Sequence, residues 1–209
     1  MLAKAETVEI DGIIYNLIEK GKVAEVTGNT IKNEWFVDEL TLEEYGPIVV
    51  IPKMIEYEGV WYSVISIEDN AFYSSNLFSI TIPNTVTSIG NKAFSSYLKQ
   101  IRITDLEAWC KIKFGSASLS NSYHLYLNDS IVTHLVIPNT ITSISSSAFS
   151  GCKSIVSVTI PNSVVEIAAT AFDGCTKLEE VHVSDLTTWC NLIVIRLIML
   201  TIFLLTMLK

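Results

Sequence analysis

The chain repeats itself, and the repeat leaves few folds open to it. Ala-Phe occurs at Ala71-Phe72, Ala93-Phe94, Ala148-Phe149 and Ala171-Phe172, at intervals of 22, 55 and 23 residues. Ile-Pro occurs at Ile51-Pro52, Ile82-Pro83, Ile137-Pro138 and Ile160-Pro161, and the last three are followed by Asn and then Thr or Ser. Residues 82–94, 137–149 and 160–172 therefore align position by position. After each Ala-Phe and a polar turn come Leu77, Leu98, Ile155 or Leu178. Ile80, Ile101, Val158 or Val181 follow three residues later, and Ile82, Ile103, Ile160 or Val183 two after that. A longer module is also duplicated: Asp105-Leu-Glu-Ala-Trp-Cys110 returns as Asp185-Leu-Thr-Thr-Trp-Cys190, 80 residues on.

Units this short cannot close a core alone and must stack on their neighbours, which predicts a solenoid. The segment Ile155-Val-Ser-Val-Thr-Ile160 alternates apolar and polar residues, the pattern of a half-buried strand. Strands of successive turns would pair in parallel at ~4.8 Å spacing. Proline, with no N–H to donate, would end each strand. Val-x-x-Ile and Ala-Phe would build the opposite wall as irregular chain, short β or 3-10 turns, with Phe72, Phe94, Phe149 and Phe172 stacked inside. About four turns are expected, with little regular helix. Residues 6–50 fall outside the repeat. Val8–Tyr15 reads as a hairpin around Asp11-Gly12 and residues 23–26 as a returning strand, so the segment reads as a β cap over the first open edge.

The pattern I-P-N-[ST]-V-x-x-I-x-x-x-A-F-x-x-C-x-x-L-x-x-[IV]-x-I-P resembles the BspA-like leucine-rich repeats of surface and secreted proteins in Bacteroides-type bacteria. The resemblance covers residues 48–190 and, more weakly, the opening Glu6–Leu17. It implies a curved, strand-rich leucine-rich repeat solenoid, without catalysis or cofactor, that binds proteins or glycans in adhesion at the cell surface or after secretion. It carries over no residue-level motif.

On this reading residues 1–5 hold a possible signal-peptide remnant, since Ala3-Lys4-Ala5 has the form of a cleavage site. Residues 6–50 are the cap and 51–190 the repeats. Short units run over about 51–82, 82–103, 137–160 and 160–183, with long units at 103–137 and, truncated, 183–190. Residues 191–209 are an apolar tail. Fourteen of the seventeen side chains at 192–208 are apolar. As a helix this run would span about 26 Å, just short of a bilayer core, with Arg196 inside it. A membrane role follows only if it is a genuine anchor. The genetic code offers another reading. One base out of frame, the codons from Met199 can give Tyr-Ala-His-His-Leu-x-Leu-Asn-Asp. That closely matches Tyr123-His-Leu-Tyr-Leu-Asn-Asp129 at the expected distance from Trp-Cys. The expectation is a frame-shifted tail, and with it a truncated product as an alternative to an active binding protein.

Composition excludes some functions. With 14 basic and 22 acidic residues, net charge −8, the chain lacks the clustered cations that nucleic acids need. No GxSxG, GxGxxG, Walker A or HExxH motif is present, and His124, His134 and His182 are scattered, so no enzyme and no metal site is expected. Cys152 and Cys175 occupy the same point of adjacent turns, within disulfide reach by spacing but poorly oriented, and read as buried thiols. The candidate binding face is the outward side of the strands: Ser79, Thr81, Gln100, Arg102, Ser157, Thr159, Glu180 and His182.

Overall fold

The computed structural model describes residues 6–31, 36–37, 44–119 and 122–183. The residues before Glu6, the second Trp-Cys module at 185–190 and the apolar run at 192–208 lie outside the described residues.

The chain opens with an antiparallel meander, β1 (Glu6–Ile10), β2 (Ile13–Ile18) and β3 (Val23–Asn29). Asp11 (φ 51°) and Gly12 (φ 75°) make the β1–β2 turn, the pair of left-handed residues that a two-residue hairpin requires. The two-residue strands β4 (Phe36–Val37) and β5 (Glu44–Tyr45) pair with each other. β6 (Ile48–Val50) then begins the solenoid, so the cap stops before residue 48 rather than at residue 50. The strand β6 belongs to the repeat because it pairs in parallel with the next turn's strand. A hairpin, β7 (Met54–Tyr57) and β8 (Val60–Ile67), fills the irregular first unit. β8 also pairs in parallel with β3, which is how the cap is joined to the repeats.

From there the turns are regular. β9 (Ser79–Ile82) and β11 (Gln100–Ile103) extend the first wall, and β10 (Ser88–Ile89) pairs with β8 on the second. Between walls, the carbonyls of Pro83, Pro138 and Pro161 accept from the amides of Val86, Ile141 and Val164 at 3.2, 3.0 and 3.2 Å. Each Ile-Pro-Asn thus closes a tight turn, and the absent proline N–H costs nothing there. The long unit has no proline at this point. Asp105 instead caps a short helix, α1 (Leu106–Cys110), by accepting from the Ala108 amide at 2.9 Å. The chain then rejoins the second wall at β12 (Lys113–Phe114). α1 is the one helix among the described residues.

β13 (His124–Leu127) completes that turn, pairing in parallel with β11. The chain then reverses through Asn128 (φ 48°) and Asp129 (φ 63°) into β14 (Ser130–Ile131), antiparallel to β13. A second block follows: β15 (His134–Val136), β17 (Ser157–Ile160) and β19 (Glu180–Val183) on the first wall, β16 (Ser143–Ile144) and β18 (Glu166–Ile167) on the second. The steps β6–β9, β9–β11, β11–β13, β15–β17 and β17–β19 make five turns, not about four. The long unit completes a turn of its own before the hairpin.

The interior is continuous. Ile80, Ile101, Leu125, Leu135 and Val158 line the first wall, and Val86, Ile89, Ile144 and Val164 the second, all buried. The phenylalanines stack as two pairs rather than one spine. Phe72–Phe94 stand 5.9 Å apart and Phe149–Phe172 5.3 Å apart. In the long unit buried Ser118-Leu119 takes the Ala-Phe place. The residues just before four of these corners, Asn70, Lys92, Ala117 and Ser147, are all left-handed, with φ between 48° and 66°.

Candidate functional site

Parallel pairing in register turns the strand sequence into rows across the first wall. One row is Ile48, Ser79, Gln100 and His124. Beside it run Val50, Thr81, Arg102 and Tyr126, with Ile131 opposite Tyr126 across the hairpin. In the second block the rows are His134, Ser157 and Glu180, and Val136, Thr159 and His182. The eight residues expected on this face therefore stand in two pairs of rows, four residues in each block.

Their exposure is uneven. Glu180 and His182 are exposed, and Thr81, Gln100, Arg102 and Thr159 are half-buried. Ser79 and Ser157 are buried, at 1% and 5%. A serine is the shortest side chain in its row, so longer neighbours shade it: Ile48 and Gln100 beside Ser79, His134 and Glu180 beside Ser157. The Nδ1 of His134 lies 2.7 Å from the Ser157 hydroxyl.

Sequence reasoning overlooked half of the face. Ile48, Val50 and Val136 project from it at 65%, 64% and 60% exposure, with Ile131 also exposed. His124 and Tyr126 complete the rows on β13. The signal was present in Tyr123-His-Leu-Tyr-Leu-Asn-Asp129, where period-2 alternation runs into an Asn-Asp turn.

Arg102 is held by three neighbours on this face. Its Nη1 donates to Asp129 at 3.0 Å and its Nη2 to the Gln100 Oε1 at 3.0 Å. Its guanidinium carbon lies 4.5 Å from the centroid of the Tyr126 ring, a cation–π contact. At the far end His182 Nε2 lies 3.1 Å from Glu180 Oε2. Burial, with Lys177 adding to it, lowers the pKa of His124 and favours its neutral form.

Nucleophiles are placed for packing. Cys110, Cys152 and Cys175 are buried free thiols. Cys175 Sγ donates to the Phe149 carbonyl at 3.1 Å, and Cys152 Sγ lies 3.2 Å from the Ser154 hydroxyl. Burial pushes the Cys110 and Cys175 thiols up to about 12, far from the range of a reactive thiolate. Among the described residues no three His, Cys, Asp or Glu side chains group to hold a metal ion, and no helix is long and apolar enough to cross a membrane.

A parallel ladder on one wall, short strands on the other and a strand face with an ordered polar and apolar pattern define a leucine-rich-repeat solenoid. Residues 65–124 and 122–191 match the model of the BspA type leucine-rich repeat region, and the chain belongs to that family. Similar solved structures include a Treponema pallidum leucine-rich repeat protein (21% identity, 85% of this chain and 82% of that one, TM-score 0.46). Another is a leucine-rich repeat protein from Bacteroides capillosus (20%, 86% and 99%, 0.40). A third is a leucine-rich cell surface protein from Faecalibacterium prausnitzii (14%, 92% and 98%, 0.36). No curated relative matches the sequence.

Proposed function

We propose that the chain is a non-catalytic binding module, secreted or displayed at a bacterial surface, whose strand face engages a partner protein or glycan in adhesion. The observation that carries this reading is the face itself. It is ordered by the ladder beneath it and studded with Ile48, Val50, Ile131 and Val136, large apolar groups that a purely solvated sheet face would not collect. Support for the surface location comes from the family, whose resemblance implies surface and secreted proteins. The test uses arrays of extracellular-matrix proteins and of glycans. Charge reversal by Arg102→Glu or Glu180→Lys should change capture by the array, and Ser146→Glu, among the corner serines at 145–147, should leave it unchanged. Equal effects from both sides of the solenoid would overturn the assignment.

A further inference from the structure

We infer that Arg102, stacked on Tyr126, is an anchor for a carboxylate of an extended protein segment that crosses the strands, and that Asp129 occupies this anchor until the segment arrives. The inference rests on the strand face being the binding surface and names what that surface recognises.

The row through Arg102 has the layout of a recognition strip. Val50, Thr81, Arg102, Tyr126 and Ile131 stand side by side on five strands, so its ends are about 19 Å apart. Both ends are exposed and apolar, and the single cation lies in the middle. Arg102 is held by the Tyr126 ring on the next strand and by Gln100 two residues back on its own, so its direction is fixed before anything binds. A preorganised guanidinium loses little entropy on meeting a carboxylate. Asp129 shows that the site takes one: its carboxylate sits on Nη1 at 3.0 Å, yet 89% of its side chain is in water and it stands at a hairpin tip. Such an exposed pair contributes little by itself, which makes Asp129 easy to displace.

The charge distribution permits an acidic partner despite the net charge of −8. Residues 1–69 carry fourteen acidic and five basic side chains, whereas residues 70–183 carry seven of each. The excess lies in the first third of the sequence, and residues 70–183, which include Arg102, are balanced in charge.

Geometry selects the conformation of the partner. Each apolar end lies two strands from Arg102, about 9.6 Å. A polyproline II segment rises about 3.1 Å per residue and shows every third side chain on one side, about 9.3 Å apart. An apolar-x-x-acid-x-x-apolar segment in that form lays its three anchors on Val50, Arg102 and Ile131 together.

The probe is acetyl-Leu-Pro-Pro-Glu-Pro-Pro-Leu-amide, with the same peptide carrying Gln for Glu, titrated into the isotope-labelled full chain and followed by NMR. The Glu peptide should shift the Arg102 side-chain Nε–H and the Tyr126 ring, and the Gln peptide should bind several-fold more weakly. Asp129→Asn, which keeps a residue suited to the left-handed turn, should tighten the Glu peptide several-fold. Absence of binding, equal binding of both peptides, or no gain from Asp129→Asn overturns the inference. Equal binding with shifts confined to the strand face overturns the anchor and leaves the face reading intact. Shifts confined to the corner around residues 145–147 overturn both.

Discussion

Replacing Trp109 by alanine should separate the solenoid into two blocks. In each stack of corners the Phe amide donates to the Ala carbonyl of the next turn, Phe72 to Ala93 at 2.8 Å and Phe149 to Ala171 at 2.9 Å. The first Ala of each stack has no preceding donor. Ala71 receives the side-chain amide of Asn29 at 2.7 Å, from the cap. Ala148 receives the indole Nε1 of Trp109 at 3.0 Å, from the long unit. Trp109 is 1% exposed and meets Phe114 edge-on at 5.1 Å. It therefore does for the second block what the cap does for the first, at the place where both ladders break. Other ties across the break include Tyr123 to Gly151, Lys153 to Tyr123, Leu125 to the Ser154 hydroxyl, and the Thr140 hydroxyl to the Glu107 carboxylate.

Truncating a buried Trp to Ala costs about 3–5 kcal/mol. Trp109→Phe keeps most of the ring but leaves the Ala148 carbonyl without its donor, at about 1–3 kcal/mol. Against a total of about 5–15 kcal/mol either loss is large. In a repeat array the loss falls on one interface rather than on the whole. The second block, with three strands on one wall and two on the other, should open first. Urea unfolding by circular dichroism should split into two steps, and hydrogen exchange should quicken at residues 134–183 while residues 79–103 stay protected. If both regions lose protection together and the transition shifts as one, the junction is no weaker than any other rung and the reasoning fails.

Two further outcomes are expected. Gly90→Ala places a Cβ 2.5 Å from the Asp69 amide nitrogen and 2.7 Å from the Glu68 carbonyl carbon, so backbone must move; a loss of about 1–3 kcal/mol should appear as a lower melting temperature, and an unchanged melt would contradict the packing. Cys110 and Cys175 are held near 12 by burial and ionise near 8.5 when unfolded, so only the unfolded state gains from alkali. Their stabilising effect is complete below about pH 8.5 and is lost as pH rises toward 12, with Tyr15 and Tyr62, also near 12, adding in the same direction at the upper end. The urea midpoint should fall between pH 8 and 10, and iodoacetamide should label these thiols slowly; a flat midpoint or fast labelling of folded protein would count against this.

The repeat arithmetic carried the fold because spacing alone says which residues stack. Ala-Phe, Ile-Pro-Asn and the period-2 strands each fall where the ladder places them. The interruption was harder to see. Residues 103–137 read as one long unit, but the structure divides them into a full turn and a hairpin. Ile103 to Phe114 takes eleven steps where Ile82 to Ile89 takes seven, and the difference is absorbed by α1. Asp105 before Leu-Glu-Ala-Trp is a helix start, and Asn128-Asp129 between alternating residues is a hairpin turn. Both are local signals that the spacing of Ala-Phe and Ile-Pro does not contain. The role of Trp109 was not legible at all, because its partner is 39 residues away and is a backbone carbonyl.

The face was half legible for a different reason. Alternation fixes which side of a strand a residue takes, and Thr81, Arg102 and His182 sit in the rows that the parallel register gives them. Exposure depends on what stands in the same row of the next turn, which alternation within one strand does not contain. Ser79 and Ser157 are shaded by longer neighbours on both sides, while Val50 and Val136 stand clear because β6 and β15 end their sheets and have a neighbouring strand on one side only. Polarity usually marks the wet side of a sheet. Here the apolar residues on that side are the informative ones. Water gains nothing from Ile48, Val50, Ile131 and Val136, and their burial against a partner, at about 25 cal/mol per Å² of apolar surface, is the largest favourable contribution this face can offer to binding.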